Sequence, residues 1–329
     1  MEGEMIKEHP SWQIIDSSKL DDYLQCPRRF FFCHILGWRL DVPAHDLYFG
    51  ESWHLAREYQ LIHGYEEVEG AYQAFLTHYR KKFPEQTDVN HRPKTPKAVK
   101  LALSHFGVEY FNDLDDNELL RNEETNEPFT EISGTVPIDD RRVLHFRMDS
   151  LLRRREDGMI FSWDHKSTSS YITKPNWGME FYLGIQNGTY THCMYCLFPV
   201  NQVLGVEFDG VGFEWISRNQ EYRTHLKRVP AFKTPEQMNV WLWTVIDLYD
   251  NIERDLDRLS HSSEDDAVMQ AFPQNPKGCS MYRGCEFHDT CMLVANPLRI
   301  CQEPPFGFRQ EFWNPADKDS RNKMKLEWK

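Results

Sequence analysis

No apolar run in the 329-residue chain is long enough to span a bilayer. Residues 1–10 are polar and charged and lack the apolar core of a secretory signal. Together these absences predict a soluble protein. Positive charge is also in short supply: 38 Lys and Arg stand against 51 Asp and Glu, a net charge of −13. That argues against a broad, sequence-independent basic surface for nucleic acid. A narrow basic channel beside a metal is compatible with it, because a bound cation adds charge that the formal count omits. Internal repeats and low-complexity tracts are absent as well.

What is present suits a sizeable core: 40% of residues are hydrophobic and 14% aromatic. Eight cysteines stand at positions 26, 33, 193, 196, 279, 285, 291 and 301. In a long chain without a signal, such cysteines bind metal or lie buried more often than they form disulfides.

The stretch 143–168 organises the reading. Two runs rich in strand formers flank Asp157-Gly158, a hairpin signal. Antiparallel strands joined there bring Asp149 near Asp164, and Lys166, two residues on, shares the face of Asp164. A carboxylate pair beside an ammonium suits a divalent cation and a phosphate. Asp-x-Lys triplets also arise by chance, so partners elsewhere have to support the assignment.

Along the chain, residues 12–15 read as a short strand. A helix follows with Ser18 as cap and Leu20, Tyr23 and Leu24 on its apolar face. Pro27 interrupts it, and a second helical segment begins at Arg28. Residues 49–58 read as a loop turning into a helix, with His54 in its first turns. Helices are expected over 67–83 and 97–113, with a loop at 84–97 between them; Leu101, Phe106 and Tyr110 share helical spacing. The acidic stretch 113–127 reads as a solvated connection. Strands are expected over 131–138 and 203–216, with Gly210 and Gly212 marking a bend or bulge. A helix is expected over 182–198, and another from Thr234-Pro235 to about 259, with Gln237 closing a capping box. The basic end, 318–329, reads as mobile.

Cys279, Cys285 and Cys291 recur with five residues between neighbours, and Cys26 is the candidate fourth ligand. Closing so long a loop costs only logarithmically more than closing a short one. On spacing alone an iron–sulfur cluster, a four-thiolate zinc site and unliganded buried thiols all stay open, with all-thiolate ligation favouring the first. Cys33, Cys193, Cys196 and Cys301 read as small buried hydrophobes, Cys301 also competing as a ligand. Gln186 and Tyr190, four residues apart on one helix, point the same way.

Taken in order, Cys26-Pro-Arg-Arg-Phe, Gly50-x-x-x-His54, Asp149, Asp164-x-Lys166, Gln186-x-x-x-Tyr190 and the terminal cysteines resemble the RecB-like iron–sulfur exonucleases. These form a branch of the PD-(D/E)xK nucleases that includes CRISPR-associated RecB-like exonucleases, the AddB nuclease domain and phage relatives. The resemblance runs from Ser18 to Cys291.

It implies an α/β, restriction-endonuclease-like mixed sheet flanked by helices, within one elaborated domain over 1–329. A helical insertion would occupy 50–130 and the catalytic core 131–260, while 17–49 and 272–301 form a cysteine-cluster lobe. His54, Asp149, Asp164 and the backbone carbonyl of His165 would ligate Mg²⁺ or Mn²⁺. Lys166 would orient the attacking water, making Asp149, Asp164 and Lys166 the catalytic set. Gln186, Tyr190, Arg28 and Arg29 would contact DNA, and Arg153, Lys174, Arg223, Lys227 and Arg228 are further candidates for a basic path. Cys26, Cys279, Cys285 and Cys291 would hold a [4Fe–4S] cluster, although the family often has two residues rather than five between the second and third of these. The implied activity is exonucleolytic cleavage of linear or single-stranded DNA, with endonuclease activity on single strands as a further option, in recombination, repair or phage DNA processing, in a bacterial or phage-infected cytoplasm and alongside recombination or replication proteins. The competing reading is a non-catalytic DNA- or protein-binding module that keeps the fold as a scaffold.

Overall fold

Caps, prolines and a few glycines set the element boundaries in the computed structural model of the chain, which describes residues 6–281, 284–317 and 322–328. The first half holds α1 (Ser17–Gln25), α2 (Pro27–Phe30), β1 (Trp38–Leu40), α3 (His45–His63), α4 (Val68–Tyr79), α5 (Pro96–Glu109), α6 (Asp113–Asp116), β2 (Asn117–Leu119), β3 (Thr130–Pro137), β4 (Val143–Ser150), β5 (Leu152–Arg154) and β6 (Ile160–Ser169). Then come α7 (Met179–Leu183), α8 (Ile185–Leu197), β7 (Val203–Ile216), β8 (Glu221–Phe232), α9 (Pro235–Ser260), α10 (His288–Leu293), β9 (Phe308–Gln310) and β10 (Asn322–Lys325). The start of α9 is the expected capping box: the Gln237 amide donates to Thr234 Oγ1 at 3.3 Å, and the Thr234 amide to Gln237 Oε1 at 2.9 Å.

These elements build two units. One is drawn from Met1–Val42, Thr135–Phe146 and Asn239–Asp319. Its core is aromatic: Phe30 and Phe31 pack on Phe272, and Phe32 packs on Trp38 and Phe287. β1 pairs antiparallel with β9. Arg142 is clamped by Asp250 and Glu253 of α9.

The other unit, Pro43–Gly134, Arg147–Met238 and Ser320–Lys329, holds a mixed five-stranded sheet in the order β2-β5-β6-β7-β8. β6 runs parallel to β7, and the other neighbours run antiparallel. Phe49 and Trp53 of α3, Phe75 of α4 and Phe106 of α5 are buried with Val211 and Phe213 of β7. Each such ring contributes about 1.5–3 kcal/mol by leaving water, so packing fixes these helices on the sheet. Side chains alternate along a strand, so the other face carries Asp164, Lys166 and Phe208. There Phe181 of α7 stacks on Phe208, with ring centroids 4.1 Å apart. This is the mixed α/β architecture expected, a sheet with helices on both faces.

Several local expectations are corrected. Residues 12–15 are not a strand: Pro10–Gln13 form a 3-10 turn in which His9 Nδ1 accepts from the Ser11 amide. Asp16, not Ser18, caps α1, accepting from the Lys19 amide at 2.9 Å, and Leu24 and Leu101 are exposed. Gly50 lies inside α3, which begins at His45, so His54 sits in the helix interior rather than its first turns. The stretch 113–127 is not all solvated: Asp113 is buried against Arg228, and β2 closes a sheet edge.

The Asp157-Gly158 turn joins β5 to β6, with Gly158 at φ 74°. β4 ends at Ser150 and belongs to a second sheet, ordered β10-β3-β4. Gly210 and Gly212 mark no bulge. A Cβ on Gly210 would stand 2.2 Å from the Trp177 ring, and one on Gly212 2.3 Å from Ile172. The register irregularity falls instead between Ile160 and Phe161. Part of the 318–329 stretch forms β10, so that part is paired; residues 318–321 and 329 lie outside the described residues.

Candidate active site

The residues expected to act together converge within the second unit. α3 sets His54 against the end of β4, where His54 Nδ1 lies 3.1 Å from Asp149 Oδ1. The other Asp149 oxygen accepts from the His165 amide of β6 at 2.8 Å. Strand β4 is therefore tied to β6 at the aspartate, although the two belong to different sheets.

Asp164 is 1% exposed, and neither of its carboxylate oxygens has a hydrogen-bond partner. Lys166 Nζ lies 2.6 Å from Asp164 Oδ1, an ion pair without hydrogen-bond geometry. Instead that ammonium donates to Gln186 Oε1 at 2.8 Å. Gln186 Nε2 donates to the Tyr190 hydroxyl at 2.9 Å, and Tyr190 donates to the Arg147 carbonyl. The helical spacing of Gln186 and Tyr190 thus builds a relay that aims the lysine.

A further acid belongs to the group and was missed in the sequence. Glu131, at φ 49° on β3, is buried beside Arg147. Ligand atoms of His54, Glu131 and Asp149 all lie within 4.8 Å of one another. The available signal was an acid opening an otherwise strand-forming run, a place where Glu is depleted.

The electrostatics follow from this crowding. Burial pulls the His54 imidazole down, but the Asp149 carboxylate outweighs it and holds the ring up at about 9. Burial works against the Asp149 charge, yet His54 and the His165 amide keep its carboxyl well below the usual range. Burial pushes Asp164 up; Lys166 opposes this and the charge of Asp149 adds to it. Burial and Asp149 likewise raise Glu131. Asp164 Oδ1 meets only the Lys166 ammonium and Oδ2 meets no donor, while His54, Glu131 and Asp149 offer nitrogen and oxygen atoms within 4.8 Å of one another; such a set suits a hard divalent cation.

The expected cluster ligands lie in the other unit. Cys26, Cys279, Cys285 and Cys291 line one cavity of about 210 Å³. Burial pushes the Cys291 thiol up to about 11, with Arg28 opposing and the Cys26, Cys285 and Cys279 thiols adding. Cys33, Cys193, Cys196 and Cys301 are buried, as expected.

The expected basic path is corrected in part. Arg28 is 3% exposed and spends its guanidinium on the Phe272 and Met269 carbonyls. Arg29 pairs with Asp22 and Glu286. Arg228 is held by Asp113 and Asp209. Arg153 stays half exposed near Glu118, and Lys227 donates to the carbonyls of Lys174 and Trp177.

Residues 17–292 match the PD-(D/E)XK nuclease superfamily, and the chain belongs to it. It is accordingly a metal-dependent nuclease, a class that acts on DNA. No curated protein matches the chain. No helix among the described residues is long and apolar enough to cross a membrane.

Proposed function

We propose that the protein is a Mg²⁺- or Mn²⁺-dependent DNA exonuclease of the RecB-like iron–sulfur branch, acting on linear or single-stranded DNA. The observation that carries the metal chemistry is the grouping of His54, Glu131 and Asp149 within 4.8 Å, with the buried Asp164 carboxylate and Lys166 paired on one strand face. His54, Asp149, Asp164 and the His165 carbonyl would hold the cation, with Glu131 added to the set. When bound, the cation supplies a more acidic water and offsets charge on the phosphate. Lys166 orients that water and faces the developing negative charge, and Gln186 and Tyr190 keep its amine in place.

The branch assignment rests on the order of the motifs and on four thiols around one cavity. We read the cysteine-bearing segments 17–49 and 272–301 as the cluster lobe of an elaborated nuclease domain.

The test uses labelled linear and circular DNA with Mg²⁺, Mn²⁺ or chelator. Linear DNA should be degraded from its ends only with metal, and Asp164→Ala should be inactive. Linear DNA that survives under every metal refutes the enzyme; internal cuts in circular duplex refute the exonuclease. Protein purified without oxygen should be brown and contain iron, whereas colourless protein with stoichiometric zinc would replace the cluster.

A further inference from the structure

Across β6 from Asp164 lies a buried charge network that the chemistry above does not use. Asp209 of β7 is fully buried, and its carboxylate has three partners: Arg57 Nη2 at 3.2 Å, Arg228 Nε at 3.0 Å and His165 Nδ1 at 3.1 Å. Both arginines are themselves fixed. Arg57 donates to Gln60 Oε1 at 2.6 Å and lies 3.8 Å above the Phe106 ring. Arg228 pairs with Asp113 and lies 3.7 Å above the Tyr110 ring. Ions are costly to remove from water, and the next positions on this face of β7, Val211 and Phe213, are apolar. Arg57 is fully buried and needs a counter-ion, which accounts for a carboxylate at Asp209 but not for its third contact, to His165.

Among its partners, His165 leads to the metal residues. Its ring meets Asp209 on one face of β6, while its backbone amide donates to Asp149 Oδ2 at 2.8 Å. It is also the middle residue of the Asp164-His165-Lys166 triplet. A carboxylate at Nδ1 assigns the ring hydrogen to that nitrogen. Nε2 is then the bare nitrogen of the neutral ring, and it is buried without a hydrogen-bond partner.

We infer that Asp209 is a positioning residue for the metal centre and acts through His165. Held by two arginines, it fixes the imidazole, and the imidazole fixes the peptide that carries the amide to Asp149 and the expected carbonyl ligand. This inference rests on the metal-dependent reading of the site.

Titration calorimetry of the full chain with Mn²⁺ tests it. His165→Phe fills the same space and leaves Asp209 its two arginines. It should bind Mn²⁺ about tenfold more weakly, the usual cost of losing a residue that orients a ligand. His165→Asn can donate to Asp209 again and should recover most of the affinity. Asp209→Asn should weaken binding like His165→Phe, and the double variant should be no weaker than either alone, because both act through one contact. Wild-type affinity in His165→Phe, or equal loss in His165→Phe and His165→Asn, overturns the inference. If Asp209→Asn does not fold, the two His165 variants decide. Wild-type protein that takes up no Mn²⁺ overturns the metal reading and this inference with it. Uptake that His165→Phe leaves unchanged overturns this inference alone.

Discussion

Asp164→Asn should make the metal-free protein more stable. The wild-type carboxylate is 1% exposed, has Lys166 as its one close partner and feels the like charge of Asp149. Asparagine keeps the shape and removes the buried charge. Lys166 loses an ion pair but keeps Gln186 and is 29% exposed, so water can solvate it. The balance favours the variant, on the order of 1 kcal/mol, because a carboxyl held above its ordinary value carries its charge at the fold's expense. The sign with pH follows from the raised carboxyl. A folded-state value above the ordinary 3.8 means that the folded protein binds the proton more tightly, so the penalty is full above the folded-state value, shrinks as pH falls through it and is gone below 3.8. Urea titration in chelator should show a higher midpoint at unchanged slope at pH 7 and no difference in acid. Mn²⁺ at a hundred times its Kd should stabilise the wild type by about 2.7 kcal/mol and the variant far less. A variant less stable than wild type in chelator at pH 7 would refute the claim that this acid is held at the fold's expense.

Lys166→Met should leave Mn²⁺ binding within a few-fold of wild type and reduce turnover by about 10²–10³, as loss of one charge-stabilising donor does elsewhere; single-turnover cleavage alongside calorimetry separates the two. His54 is held at about 9, so at pH 7 it is protonated without metal and must release a proton to become a ligand. Mn²⁺ affinity should therefore climb from pH 6 to about 9, with about one proton released per ion, read from calorimetry in buffers of different ionisation heat. The His54–Asp149 pair itself contributes metal-free stability that is full below the ordinary 6.5 and lost as pH rises through about 9. Gly210→Ala should cost about 1–3 kcal/mol through overpacking against Trp177, seen as a lower melting temperature.

The sequence made the candidate site legible because the spacing of its residues reflects local geometry. Asp164 and Lys166 share a face through the strand period, and Gln186 and Tyr190 through the helix period. The mixed sheet with helices on both faces was legible in the same way, from alternating strands separated by helical runs. Glu131 escaped because one acid opening a strand looks like an edge charge until the fold buries it. Asp209 escaped because Arg57 reaches it only by tertiary packing, and Arg228 faces it only once the β7–β8 register is known. Arg28 misled for the converse reason: basic residues in a row suggest an exposed strip, whereas helix geometry turns this one inward to the chain's own carbonyls.

The aromatic core that Phe30, Phe31 and Phe32 share with Phe272 and Phe287 has a cost during synthesis. Three phenylalanines leave the ribosome early, and their covering rings are made more than two hundred residues later, roughly ten seconds to a minute at bacterial rates. For that interval the nascent chain carries a sticky, uncovered patch. A chain stopped after Ser260 would keep the patch for good, so it should pellet on lysis or co-purify with chaperones; a clear, monodisperse truncated product would contradict this.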